Sequence, residues 1–169
     1  LAAPSWMLGQ REWTLRNGTV YKFRTAPVDP YDAFRGRYVA LSFEDLTAEY
    51  TDANPNRPHG KPLYATLAVD DQGFASFADA KNSPPESGDY MRIDNWYDDA
   101  DNVVRLMPPF DRYYMNEDAA PEAERAYLEH SNVRQRDAYI TVRVWKGYAV
   151  LDGLFIADQR IEEFLASAP

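Results

Sequence analysis

Pro27-Val28-Asp29-Pro30-Tyr31-Asp32-Ala33-Phe34-Arg35-Gly36-Arg37-Tyr38-Val39-Ala40-Leu41-Ser42-Phe43 is the stretch on which the fold turns. Each proline fixes its own φ, removes an amide donor and pushes the residue before it out of the α region. The first half is therefore a stiff, irregular loop. Gly36 breaks the chain, and beyond it Val39, Leu41 and Phe43 alternate with smaller or more polar residues. That period of two predicts a strand over Tyr38–Glu44 with one buried face. A rigid loop feeding a strand presents side chains in a fixed arrangement. Asp29, Tyr31, Asp32, Arg35, Arg37 and Tyr38 are the candidate binding residues, because they set both signs of charge beside aromatic rings. The plainer role for the same residues is structural, with Asp29 bonding turn amides and Arg35 pairing with Asp32.

Outward from this stretch the chain reads as short strands between turns. Asn17-Gly18 is a two-residue hairpin signal and predicts that Glu12–Arg16 pairs with Thr19–Arg24. Residues 45–61 are polar and rich in Pro, Asn and Asp, and read as a long surface loop. Leu63–Val69, the turn Asp70-Asp71-Gln72-Gly73 and Phe74–Ala78 form a second hairpin. Residues 81–89, with Pro84-Pro85, form another loop. Tyr90–Tyr97, Asn102–Met107 and Phe110–Met115 are further strands, with Pro108-Pro109 interrupting pairing. Ala120, Ala123, Ala126, Tyr127 and His130 fall at helical spacing and predict one main helix near 119–131. Tyr139–Trp145 alternates cleanly, Lys146-Gly147 turns it, and Tyr148–Leu151 with Leu154–Ile156 returns. Residues 159–166 read as a short closing helix. The fold class expected is mainly β, or β-rich α+β: a partly closed barrel or a sandwich of short antiparallel strands.

The 169 residues fit one domain, with residues 11–169 as its β-rich body. Lys and Arg number 18 against 27 Asp and Glu, a net charge of −9. Such a balance disfavours nucleic acid and anionic lipid headgroups as partners. There is no cysteine, which removes disulfides, zinc thiolates and thiol chemistry. The chain begins at Leu1 rather than Met, and Leu1–Gly9 is apolar with Trp6. Residues 1–10 therefore read as either the trailing end of an N-terminal anchor or a linker packed on the domain.

Groups that could do chemistry are few. Glu117, Glu122 and Glu124 could form a carboxylate pair for acid–base hydrolysis, although acids at a helix start are expected from the macrodipole alone. Ser87 with Lys81 is a distant echo of a Ser–Lys dyad. Asp98-Asp99-Ala100-Asp101 reads as an acidic turn; Asp98, Asp99, Asp101 and Asn102 are oxygen-rich but lack the EF-hand spacing. His59 and His130 lie in separate elements, and Arg134 with Arg136 reads as a solvated turn. No phosphate loop, nucleophile elbow or dinucleotide fingerprint is present, so no cofactor is expected. A small-ligand barrel is a further reading that rests on the 14% aromatic content alone.

The segment Gly18–Phe43 resembles the GDYXXLXY family, bacterial proteins of unknown function. Pro27-Val28-Asp29-Pro30, Phe34-Arg35-Gly36, Tyr38-Val39 and Leu41 stand at matching places. Arg37 stands where the family has Asp, and Phe43 where it has Tyr. Arg112–Glu117 with Glu122-Ala123-Glu124 is similar to the family's later strand and acidic helix start, and Ile140–Ile156 to its closing hairpin. The resemblance implies a protein held by one N-terminal helix, with its soluble part at the periplasmic face of the inner membrane. It also implies a multi-pass membrane protein as partner and a non-catalytic role in docking. The anchor itself would then lie outside this chain, which favours the anchor reading of residues 1–10.

Overall fold

The computed structural model describes residues 3–27, 38–44, 46–52, 60–100, 102–132 and 134–167. In chain order the elements are α1 (Ala3–Asn17), β1 (Thr19–Ala26), β2 (Tyr38–Ala40), β3 (Ser42–Phe43), β4 (Thr47–Tyr50), β5 (Leu63–Val69) and β6 (Ala75–Lys81). They continue as β7 (Tyr90–Ile93), β8 (Asn95–Ala100), β9 (Val103–Met107), β10 (Arg112–Tyr114) and α2 (Ala120–His130). The chain closes with β11 (Ala138–Trp145), β12 (Tyr148–Ile156), β13 (Gln159–Arg160) and α3 (Ile161–Ser167). The fold is mainly β with three helices. The strands form a five-stranded sheet in the order β13-β12-β11-β1-β3, a two-stranded sheet β10-β2, and a six-stranded sheet in the order β7-β5-β6-β4-β9-β8.

The chain divides into two compact units. The first contains residues 1–21, 45–109 and 142–150. Its six-stranded sheet curls strongly into a half-barrel. Leu63, Ala65, Ile93, Met91, Val104 and Leu106 are fully buried on its strands, as the alternation within each strand requires. Asp70 closes the β5–β6 hairpin, its Oδ1 accepting from the amides of Gln72 and Phe74. Gly73 supplies the positive φ of that turn. Not every pairing is antiparallel: β4 and β6 run parallel, with Glu49 opposite Asp79 and Tyr50 opposite Ala80.

Four expectations need correcting in this unit. Glu12–Arg16 is not a hairpin arm; it is helix. Arg16 Nε donates to Glu12 Oε1 at 2.9 Å, Thr14 Oγ1 to Gln10 O, and Asn17 Nδ2 to Trp13 O. These i, i+4 bonds continue a helix where a turn signal predicted a strand. Asn17-Gly18 ends that helix, with Gly18 N donating to Thr14 O at 2.8 Å. Residues 45–61 are not all loop, because β4 lies inside them. Its core contribution is Ala48 and Tyr50 only, too short a pattern to stand out among polar neighbours. Tyr90–Tyr97 is two strands, since the chain breaks at Asp94. Asp98 and Asp99 belong to β8 and are not turn residues.

The second unit contains residues 22–44, 110–141 and 151–169. Alternating residues of β11 and β12 fill its core, with Ile140, Leu154, Ile156 and Ile161 fully buried. Helix α2 carries Pro in its first turn, where the missing amide is harmless, and buries Ala120, Ala123 and Tyr127 on one stripe. One line of side chains crosses β1, β11, β12 and β13: Lys22 Nζ over the Tyr139 ring, Tyr139 stacked on Phe155 at 5.2 Å, and the Arg160 guanidinium over Phe155. The β12–β13 turn uses positive φ at Ala157 and Asp158 with no glycine. Ala157 N bonds Asp137 O, and Asp158 Oδ1 accepts from the Tyr139 hydroxyl, which holds a conformation side chains rarely adopt.

Gly18 gives a direct test of the α1–β1 junction. A Cβ there would sit 2.6 Å from Thr14 O and 3.1 Å from both N and O of Val144, all backbone atoms. Gly18→Ala should cost about 1–3 kcal/mol of stability, read by chemical denaturation. Gly9→Ala, where nothing lies within 4 Å, should not destabilise the protein.

Candidate functional site

The motif stretch leaves the five-stranded sheet at Ala26 and comes back to it at Ser42. These two residues are Cα partners across β1 and β3, with Thr25 opposite Phe43 one step further in. The Tyr127 hydroxyl of α2 sits at this neck. It accepts from Ser42 N at 3.3 Å and lies 3.2 Å from Ala26 O and 3.4 Å from Ser42 O. One phenolic proton serves one carbonyl at a time, and Ala26 O is the nearer. Tyr127 is fully buried. Burial pushes its pKa up, while the Ser42 amide and the neighbouring Thr25 hydroxyl pull the other way. Thr25 Oγ1 also donates to Ala138 O at 2.8 Å, so two hydroxyls tie the neck to α2 and β11.

Tyr38–Glu44 is not the single strand its alternation predicts. It breaks at Leu41, whose amide bonds Asp111 O at 2.8 Å. Before the break, β2 pairs with β10; after it, β3 pairs with β1. The motif strand therefore serves two sheets, and Leu41 is buried at the change-over. Phe43 meets the edge of Phe110 at 5.6 Å, and Phe110 lies 5.8 Å from Phe23, so the ring at the last motif position completes an aromatic cluster.

The β2–β10 register sorts the side chains into two faces. Val39 and Tyr113 are opposite each other and buried. The Tyr113 hydroxyl donates to Glu162 Oε1 at 2.6 Å, and burial, then that carboxylate, raises its pKa. On the other face Tyr38 lies opposite Tyr114, and Ala40 opposite Arg112. The two rings are 5.7 Å apart and tilted. The Arg112 guanidinium lies over the Tyr38 ring at 5.0 Å. Its pKa is raised, first by the Tyr114 hydroxyl and next by Asp111. Tyr114 is 67% exposed, a large side chain left in water beside a cation.

Of the sequence-predicted binding residues, Tyr38 alone falls within the described residues; Asp29, Tyr31, Asp32, Arg35 and Arg37 lie outside them. Asp101 and His59 lie outside as well. Glu117 and Glu122 are exposed and Glu124 half-buried. Ser87 is exposed beside Gly88, and among the described residues no hydrogen bond joins it to Lys81. A desolvated dyad or a shielded carboxylate pair needs the opposite environment. Asp99 accepts from Arg105 at 3.1 Å. Among the described residues no group of three or more His, Asp or Glu stands close enough to hold a metal ion. His130 Nδ1 lies 2.8 Å from Asp137 Oδ1, with the Phe164 ring edge-on. Sequence reasoning missed this pair because the positive φ of Arg136 turns Asp137 back onto the helix end. It also missed Arg112, Tyr114 and the role of Tyr127. Only the alternation of Arg112-Tyr113-Tyr114 pointed to a two-faced strand.

Two outcomes follow from these hydroxyls. Tyr127→Phe removes the only group bonding both feet of the motif stretch among the described residues, and should cost about 1–3 kcal/mol in denaturant titration. Tyr21 and Tyr139 are pushed up from 10.0 to about 12 by burial and by Asp89 and Asp158. The folded state keeps both protons where the unfolded chain loses them. Their contribution is whole below pH 10 and is lost as pH rises from 10 towards 12. Denaturation midpoints should fall across that window, and less steeply in Tyr21→Phe with Tyr139→Phe.

No curated protein and no solved structure matches the chain. The family model described as GDYXXLXY protein matches residues 1–154, which takes in α1, the motif strand, β10, α2 and the start of the closing hairpin. With nine-tenths of the chain inside that match, the protein belongs to the GDYXXLXY family.

Proposed function

We propose that this chain is the extracytoplasmic part of a membrane-tethered bacterial protein and works by docking to a multi-pass membrane partner rather than by catalysis. The observation that carries the reading is the start of α1. Trp6, Met7 and Leu8 are 72%, 70% and 67% exposed. Consecutive helical residues point about 100° apart. Three bulky apolar side chains in a row therefore spread around most of that turn. Apolar surface left contiguous in water marks contact with lipid or protein. Further along, Arg11, Glu12 and Arg16 are exposed and Thr14 is buried, so polarity returns where the helix meets its own unit. Trp6 suits the headgroup level of a bilayer. Among the described residues no helix is long and apolar enough to cross a membrane, so in this reading the tether is supplied outside the chain.

The non-catalytic half of the proposal is supported by the solvated setting of Glu117, Glu122 and Ser87. The expected outcome has two arms. The full-length natural protein should sediment with membranes and resist alkaline extraction. An alkaline phosphatase fusion after Ser167 should be active, and a β-galactosidase fusion at the same place inactive. A full-length protein found in the soluble fraction, or the reverse fusion pattern, would end this reading.

A further inference from the structure

We infer that the outward face of β2–β10, built from Tyr38, Ala40, Arg112 and Tyr114, is the docking surface, and that it takes an extended, carboxylate-bearing segment of a protein partner. This rests on the docking reading above and gives it a place and a chemistry.

The register carries the argument. Tyr38 opposite Tyr114 sets two large rings side by side, while Ala40 opposite Arg112 leaves a small residue beside a long one. The result is two neighbouring rings with a guanidinium folded over one of them. The Tyr38 ring supports that guanidinium from beneath, at 5.0 Å. Support of this kind reduces the entropy lost when the guanidinium fork is engaged. Its acidic neighbour does not fill the fork. Asp111 Oδ2 is 3.7 Å from Arg112 Nε, beyond hydrogen-bond length, and both side chains are largely exposed. Arg16, Arg92 and Arg105 hold carboxylates more tightly, at 2.8–3.1 Å, whereas Arg136 and Arg160 meet theirs at 3.5 and 3.6 Å. A planar fork held against a ring, with Tyr114 and not Asp111 as its hydrogen-bond neighbour, matches the geometry of a carboxylate.

The rings add what a bare charge lacks. Tyr and Arg are the side chains most enriched where truncation costs binding energy, and here three of them are contiguous. The net charge of −9 means that long-range steering favours cationic surfaces. A carboxylate met at Arg112 therefore sets register and orientation locally, the usual part of a buried interface charge. An extended segment matches a face whose side chains repeat every second residue.

The test uses the full-length protein in its native membranes. A photo-crosslinking phenylalanine replaces Tyr114, and in a parallel sample replaces Tyr148, an exposed tyrosine of the other unit. We expect position 114 to crosslink one protein other than this chain, on a peptide carrying Asp or Glu. Arg112→Glu should reduce that product at least about 30-fold, and Arg112→Lys should reduce it less. Melting temperatures should be unchanged, since both side chains are exposed. A partner that co-purifies undiminished with Arg112→Glu overturns the assigned face while leaving the docking role intact. A crosslink to a second copy of this chain, to a polysaccharide, or to a peptide without an acid overturns the assigned chemistry. Absence of any membrane partner for the unaltered protein removes this inference and the docking role together, while the fusion experiment above still reports on tethering.

Discussion

One buried hydroxyl bonds both strand ends from which the motif stretch departs. Tyr127 reaches from α2 to the place where Ala26 leaves the sheet and Ser42 returns, and bonds both. Two strand residues alone make a weak pairing, and β3 has only two. An edge pairing that short leaves backbone groups half-satisfied, and each buried orphan costs more than the bond it would have made. The phenol supplies a donor and an acceptor at one point, which is what a carbonyl and an amide on facing strands need. Ala120 and Ala123, small and buried on the same stripe, let α2 approach closely enough for Tyr127 to reach. The helix is therefore positioned by its small residues, and the strand junction by the one large residue among them.

That anchorage explains the spacing of the family motif. Tyr38 faces out beside Tyr114, Val39 and Leu41 are buried, and Phe43 closes a ring cluster with Phe110 and Phe23. A straight strand would keep Leu41 and Phe43 on one continuous face. Here the chain bends at Leu41 and exchanges β10 for β1, so successive apolar positions enter different sheets. The Arg that stands in the motif's Asp position lies outside the described residues, while the Phe in the last position does the packing work of an aromatic ring without needing a hydroxyl partner.

Much of the strand content was legible because it follows local rules. Leu63–Val69 appears with the bounds its alternation predicts, and the Asp70 turn behaves as Asp-x-x-Gly turns do. The helix at 120–130 follows its apolar spacing and its early proline. What failed depended on competition between local and distant terms. Asn17-Gly18 satisfies a hairpin rule, but Gly18 is needed for close approach to Val144 rather than for positive φ. Ala157-Asp158 makes a two-residue turn with no glycine, stabilised by Asp137 and Tyr139 from elsewhere in the chain. No local rule foresees such a turn. The candidate face shows the same division. Tyr38 could be named from the motif, but Arg112 and Tyr114 join it only through a pairing with a strand far along the chain.

The distribution of polar chemistry also bears on what kind of molecule this is. Catalysis by carboxylates or hydroxyls depends on taking a reactive group out of water and aiming it at an open position. Here the buried hydroxyls of Tyr127, Thr25 and Thr14 are committed to backbone carbonyls and amides, while those of Ser131 and Thr141 are buried without a hydrogen-bond partner among the described residues. Tyr113, Tyr139 and Tyr21 are each committed to a carboxylate, and their pKa values move upward, away from the range where a phenol exchanges protons at neutral pH. Burial of these tyrosines and of Thr25 thus goes into holding strands together. Large apolar and aromatic groups are left at the surface, among them Trp6, Met7, Leu8 and Trp13 on α1 and Tyr114 on β10, and the proposed docking rests on them.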